Sequence, residues 1–124
     1  MTGGQMAPTS LLGQVTTTSP YGRQKEIQGN PIRVCEMLST LDGTAFAQRC
    51  AVDCVKNVMA AKKAIRHAFE IQKDKKGLSI VEVLSTCPTN WGLSPKESIE
   101  WLRTNMMEHY PLGVYKDITA KEEK

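Results

Sequence analysis

The chain has 124 residues, 40% of them apolar and 23% charged, with a formal net charge of +3. That length supports one domain, and that apolar content is too rich for a disordered chain. The small charge, with basic residues interleaved among acids, argues against a nucleic-acid partner. No apolar run approaches the ~20 residues that cross a bilayer, and no charged-then-apolar leader precedes a cleavage site. The reading is a cytoplasmic chain with no membrane partner.

The chain opens with MTGGQMAPTSLLGQVTTTSPYGR, rich in Gly, Thr, Ser and Gln and without a helical or strand period. Gly3-Gly4 lets the backbone approach a ligand and offer N–H groups to it. The hydroxyls of Thr16, Thr17, Thr18 and Ser19 precede the turn signal Pro20-Tyr21-Gly22. The segment reads as a ligand-facing loop set against the alternative of a flexible terminus, with the three threonines stabilising the loop or a subunit contact.

Asn30-Pro31 predicts a helix start, with Asn as N-cap and Pro in the first turn. Val34, Cys35, Leu38 and Leu41 then fall at helical spacing, and Gly43 stops the run. Ala45 to Val52 reads as a short strand covered on both faces. The clearest helix runs from Lys56 to Lys73, with a stripe of Val58, Ala61, Ile65, Ala68, Phe69 and Gln72. Lys62, Lys63, Arg66 and Lys73 lie largely off the stripe and read as a solvated flank, set against the alternative of a phosphate- or acid-binding face, and Glu70 is an i+3 surface partner for His67. Asp74-Lys75-Lys76-Gly77 turns the chain.

Leu78 to Leu84, LSIVEVL, is the best strand. A strand of this kind after a long helix predicts a β-α-β crossover in a parallel sheet. The loop Ser85 to Gly92 leaves the carboxyl end of that strand, the edge where open α/β sheets bind ligands. Ser94-Pro95-Lys96-Glu97 starts the last helix with capping-box spacing. Ile99, Leu102 and Met106 form its buried stripe, Trp101 lies off that stripe, and Tyr110 to Gly113 ends the helix. The expected order is loop–helix–strand–helix–strand–helix, an α/β fold with a parallel sheet and packed helices. Asp117 to Lys124 reads as a loose polar tail.

The chain has four cysteines, Cys35, Cys50, Cys54 and Cys87. Nothing suggests secretion, so a disulfide framework is not expected. Cys50 and Cys54 do not have zinc-knuckle spacing, and only His67 and His109 could assist them. Cys35 reads as a small apolar residue on its helix face. Cys87 stands apart, in a Pro- and Asn-bearing turn after a buried strand. A packed or capping thiol and a ligand to something held outside the sheet both fit that position.

Three blocks carry a resemblance. MTGGQMAPTSLLGQVTTTSPYGR resembles the segment after the metal-binding loop in the thiamine-diphosphate (beta) subunit of 2-oxoacid:ferredoxin oxidoreductases. VEVLSTCPTNWGLSP and YPLGVYKD resemble the end of that subunit, and the 2-oxoglutarate and branched-chain members look most similar. The family's Cys-x-x-Cys-Gly region and Gly-Asp-Gly motif do not occur here, and Met1 coincides with a methionine inside the family's loop. By this resemblance, residues 1–117 look like the C-terminal part of a thiamine-diphosphate-binding domain, with 118–124 as a tail.

The resemblance implies thiamine diphosphate with Mg²⁺ beside Met1, Thr2, Gly3, Gly4 and Gln5. It makes Cys87 one ligand of a [4Fe–4S] cluster, whose four thiolates would be completed by the missing half. The implied enzyme decarboxylates a 2-oxoacid oxidatively, forms acyl-coenzyme A and passes electrons to ferredoxin, with alpha, gamma and delta subunits as partners. This chain alone would be inactive and hold neither cofactor stably. The competing reading is a non-catalytic assembly module, with exposed Trp91, Trp101 and the MAPTSLL stretch as its contact surface. A stand-alone enzyme is weaker, because no nucleophile–base or carboxylate pair stands out.

Overall fold

The computed structural model describes residues 7–120. The chain divides into two compact units, one of Met1–Arg33 with Thr86–His109 and the other of Val34–Ser85 with Tyr110–Lys124. Among the described residues no helix is long and apolar enough to cross a membrane.

The second unit is a mixed three-stranded sheet in the order β2-β1-β3. β1 is Thr44–Ala51, β2 is Leu78–Leu84 and β3 is Gly113–Asp117. β1 and β2 run parallel, joined through helix α3, Val55–Lys73, which confirms the predicted crossover. Seven of the eight β1 residues are buried, the pattern of a strand covered on both faces. A register shift between Thr44 and Phe46 makes Ala45 the extra residue of a bulge.

Two expectations fail here. The sheet is not purely parallel, because β3 pairs antiparallel with β1. Asp117 is also not tail but the last residue of β3. GVYKD is short and half polar, so it carries little strand signal of its own, and β1 holds it in place.

α3 is seated differently from its predicted stripe. Ala61, Ala64 and Ile71 are buried against Ala45, Phe46 and Cys50, with Ala68 partly buried beside them. Val58, Ile65 and Phe69 are exposed. The spacing 61, 64, 68, 71 is also helical. Its alanines let the helix axis come close to the sheet, whereas the bulkier row would hold it away. Lys62, Lys63, Arg66 and Lys73 are exposed, as expected. At the end of α3 the chain returns through Gly77 (φ +136°), where an added Cβ would lie 2.7 Å from the Gly43 carbonyl oxygen.

α2 covers Val34–Ser39, so it starts later than Asn30-Pro31 predicts. The Asn30 carbonyl instead accepts a hydrogen bond from Arg23 Nη2 at 3.0 Å, and the Ile32 N–H donates to Pro8 O at 3.0 Å. That stretch belongs to the loop. Cys35 is fully buried and Leu41 half exposed.

Arg49 is the largest side chain buried in this unit. β1 and β2 place it opposite Glu82, and its Nε donates to Glu82 Oε2 at 2.7 Å. Its Nη2 donates to Glu36 of α2, and its Nη1 donates to Tyr115 Oη of β3 at 2.6 Å. One guanidinium therefore joins β1 to both neighbouring strands and to a helix; burial works against its charge, but its carboxylate partners outweigh that and hold it more firmly than usual. Cys35 lies beside this cluster, where burial and the Glu82 carboxylate push its thiol up to about 12.

In the first unit, α1 is the short helix Lys25–Gln28, which the sequence pattern did not indicate. α4 is Pro88–Trp91 and α5 is Pro95–Trp101, continued by a π-helical segment, Leu102–Met106, and by α6, Met107–His109. The predicted capping box is present: Ser94 Oγ accepts from the Glu97 N–H, and Glu97 Oε2 accepts from the Ser94 N–H at 2.9 Å. Leu102 and Met106 are buried as expected.

Candidate functional site

Residues 7–33 form an ordered loop built around Arg23. Its guanidinium is buried and donates to six backbone carbonyls, those of Ala7, Pro8, Ser10, Gln28, Gly29 and Asn30. The carbonyls replace the water that the cation loses on burial, and in turn they fix the path of the loop. Gly22 (φ +79°) is required by close packing, since an added Cβ would lie 2.8 Å from Gly13 O. The sequence pattern gave no role to Arg23, because an arginine in a polar loop looks like a surface charge.

The threonine run continues this loop. Thr16 and Ser19 bridge each other through backbone hydrogen bonds of 3.2 and 3.0 Å, and both are buried. Thr17 reaches across to α4: its N–H donates to Asn90 O at 3.0 Å and its hydroxyl donates to Asn90 Oδ1 at 2.5 Å. That contact fixes the Asn90 amide, leaving Nδ2 to donate to Cys87 Sγ at 2.9 Å.

Cys87 precedes α4 and lies three residues beyond the end of β2. The hydrogen bonds from Asn90 stabilise its thiolate and hold the thiol below its ordinary range. The other three thiols differ. Cys35 and Cys50 are buried, and burial raises the Cys50 thiol as well. Cys54 is exposed.

Cys87 thus has the chemistry of a sulfur ligand, half accessible and with an N–H donor on its sulfur. It supplies one donor, and among the described residues no group of three or more His, Cys, Asp or Glu side chains could hold a metal. Among the described residues Cys87 therefore offers a single thiolate and not a whole metal site. Met1, Thr2, Gly3, Gly4 and Gln5 lie outside the described residues.

Beside this loop lies an open cleft of about 350 Å³ lined by Leu12, Gly13, Val15, Trp91, Trp101 and Asn105. Trp91 and Trp101 pack with centroids 5.0 Å apart and ring planes tilted by 54°, and both are half buried, so they are not the freely exposed pair the sequence suggested. His67 belongs to the second unit. Its Nε2 lies 3.0 Å from Asp117 Oδ2 and 3.1 Å from Thr119 Oγ1, while the anticipated partner Glu70 is 3.8 Å away. The sequence reading missed Asp117 because it assigned that residue to the tail.

Three relatives bear on these readings. Over 123 residues the chain is 42% identical to the ketoisovalerate oxidoreductase subunit VorA of Methanothermobacter thermautotrophicus, a match that covers 99% of this chain and 26% of VorA. It is 32% identical over 127 residues to the 2-oxoglutarate synthase subunit KorB of Methanocaldococcus jannaschii, covering 98% of this chain and 42% of KorB. It is 23% identical over 99 residues to the pyruvate synthase subunit PorB of Methanothermobacter marburgensis, covering 80% of this chain and 32% of PorB. The chain is homologous to subunits of the 2-oxoacid:ferredoxin oxidoreductases. It spans about a quarter of VorA and about two fifths of KorB. No family profile and no solved structure matches it.

Proposed function

We propose that this chain provides the C-terminal part of the thiamine-diphosphate-binding domain, residues 1–117, in a cytoplasmic 2-oxoacid:ferredoxin oxidoreductase. The complete enzyme would decarboxylate a 2-oxoacid oxidatively, form acyl-coenzyme A and pass electrons to ferredoxin. The observation that carries this reading is the similarity to three oxidoreductase subunits over most or nearly all of the chain. The higher identity to the ketoisovalerate relative favours a branched-chain 2-oxoacid over 2-oxoglutarate.

In this proposal Met1, Thr2, Gly3, Gly4 and Gln5 lie against thiamine diphosphate and its Mg²⁺, where a hydroxyl and backbone N–H groups suit a diphosphate. When bound, thiamine diphosphate supplies a nucleophilic carbon for the 2-oxo group and takes up the electron pair released with carbon dioxide. Cys87 would give one sulfur to a [4Fe–4S] cluster whose other ligands would come from another stretch of polypeptide. Asn90 donates an N–H to that sulfur, and Thr17 keeps the amide turned the right way. Hydrogen bonds of this kind tune the potential of such clusters. On its own the chain would be inactive.

The test is to tag the chain in its source organism, purify what accompanies it, and assay coenzyme A-dependent reduction of a viologen dye. The expected result is turnover with 3-methyl-2-oxobutanoate faster than with 2-oxoglutarate, and loss of cluster iron in a Cys87→Ser complex. Copurification with the other subunits but without turnover would favour the assembly-module reading. A monomer with no oxidoreductase partners would overturn the proposal.

A further inference from the structure

Among the described residues the sheet has two open edges, and they are built differently. β3 is a protected edge. It has five residues, and Lys116 and Asp117 are both engaged, Lys116 Nζ with Leu41 O at 2.7 Å and Asp117 with His67. Short length and charge are how native sheets stop at an edge. β2 is longer and carries no lysine or proline. It runs seven residues, LSIVEVL, mainly apolar on both faces, and its one charge, Glu82, is turned inward to Arg49. A strand apolar on both faces belongs in the interior of a parallel sheet. Here Leu78 is 44% exposed and Val83 38%.

The helix flank beside β2 shows the same pattern. Ile65 and Phe69 of α3 are exposed, Phe69 at 72%. Together with Ala68, Gln72, Ser79 and Val81 they line an open groove of about 230 Å³. The bulky apolar row of α3 that the sheet does not bury therefore stands directly over the unguarded strand. A parallel neighbour arrives with a crossover helix, because a β-α-β connection must place one on the sheet.

We infer that the open edge of β2 and the Ile65–Phe69 flank are the docking surface for a strand–helix unit, with the strand extending the sheet beyond β2 and the helix covering Phe69. The occupant is a stretch of the subunit that this chain does not match, since about three quarters of VorA lies outside the similarity. This inference rests on the proposed function, which supplies the occupant.

The experiment mixes the full chain with the remaining subunits of the Methanothermobacter thermautotrophicus ketoisovalerate oxidoreductase and its VorA lacking the matched region, the latter first shown to be folded by circular dichroism. Binding is read by size-exclusion chromatography and backbone hydrogen exchange, alongside the oxidoreductase assay. The expected result is a complex with one copy of the chain per VorA, in which amides of residues 78–84 are protected at least about tenfold more than in the free chain. Phe69→Glu and Val83→Lys, both at exposed positions, should each weaken the complex by more than about tenfold with circular dichroism and thermal midpoint unchanged. Gln24→Glu, far from the groove in the chain and exposed, should leave binding intact. A complex that turns over substrate but protects residues 113–117, or none of 78–84, overturns the docking surface and leaves the functional reading standing. Protection of 78–84 by self-association of the chain alone also overturns it, in favour of a second copy. Protection of 78–84 in a complex without turnover supports the surface and counts against the functional reading, and failure to form any complex counts against both.

Discussion

At the scale of single residues, two buried arginines organise the molecule, and they do so differently. Arg23 is satisfied by backbone carbonyls alone among its described partners, whereas Arg49 is matched by the carboxylates of Glu36 and Glu82. Removing Arg49 leaves both carboxylates without the cation they share. Arg49→Ala should therefore cost about 3–5 kcal/mol, the range for breaking a buried ion pair from one side, measured by urea unfolding. The Cys87 site makes a chemical prediction. With Cys54→Ser as background, Asn90→Ala should slow alkylation of Cys87 by iodoacetamide near neutral pH by about tenfold or less, because the amide no longer stabilises the thiolate. An unchanged rate would mean that the hydrogen bond to sulfur does not hold in solution. Cys87 could be singled out in the sequence because it sits in a Pro-bearing loop after an apolar strand. Its partner Thr17 is 73 residues from Asn90, and no local pattern links them. Buried arginines are equally silent, since their composition is that of a surface.

At the scale of elements, the legible features were those whose signal is local. β2 was read over its observed span because seven consecutive residues are strand-compatible and both ends carry turn residues. The capping box of α5 was legible for the same reason. β3 was not, because its pairing with β1 comes from tertiary contact, and the face of α3 was misjudged because two apolar rows share one helix. β3 is also fastened to α3 by the contact of Asp117 with His67 and Thr119. Burial works against ionisation of Asp117, but hydrogen bonds from Thr119 and the His67 ring outweigh it and hold the carboxyl below its usual range. The sign of the pH effect follows. A depressed folded value stabilises the fold above the unfolded value of ~3.9 and loses that contribution as pH falls through the folded one. The urea midpoint of the native chain should thus drop more steeply below about pH 4 than that of Asp117→Asn. Parallel acid limbs in the two proteins would show that the contact carries no linkage.

At the scale of the whole molecule, the distribution of apolar side chains departs from that of a self-sufficient domain. Among the described residues, the buried apolar set includes Ala45, Ala47, Ala51, Ala61 and Ala64 with Cys35 and Cys50, while Tyr21, Ile27, Val55, Phe69 and Ile118 are all more than half exposed. Burial stabilises in proportion to apolar area, roughly 25 cal/mol per Å², so the alanines contribute least, and several large side chains that could add more are left outside. Scattered exposed residues need no explanation, but a row of them beside an open strand edge does. The expected consequence is a chain of low stability by itself, with an unfolding free energy at or below ~5 kcal/mol, the bottom of the usual range. A partner that binds only the folded chain adds to this by mass action, about 2.7 kcal/mol when present at 100 times its Kd. Urea titrations with and without the complementary subunit stretch measure both quantities. A free chain of ordinary stability whose midpoint the partner does not move would show that the small core suffices and that the exposed row is merely surface.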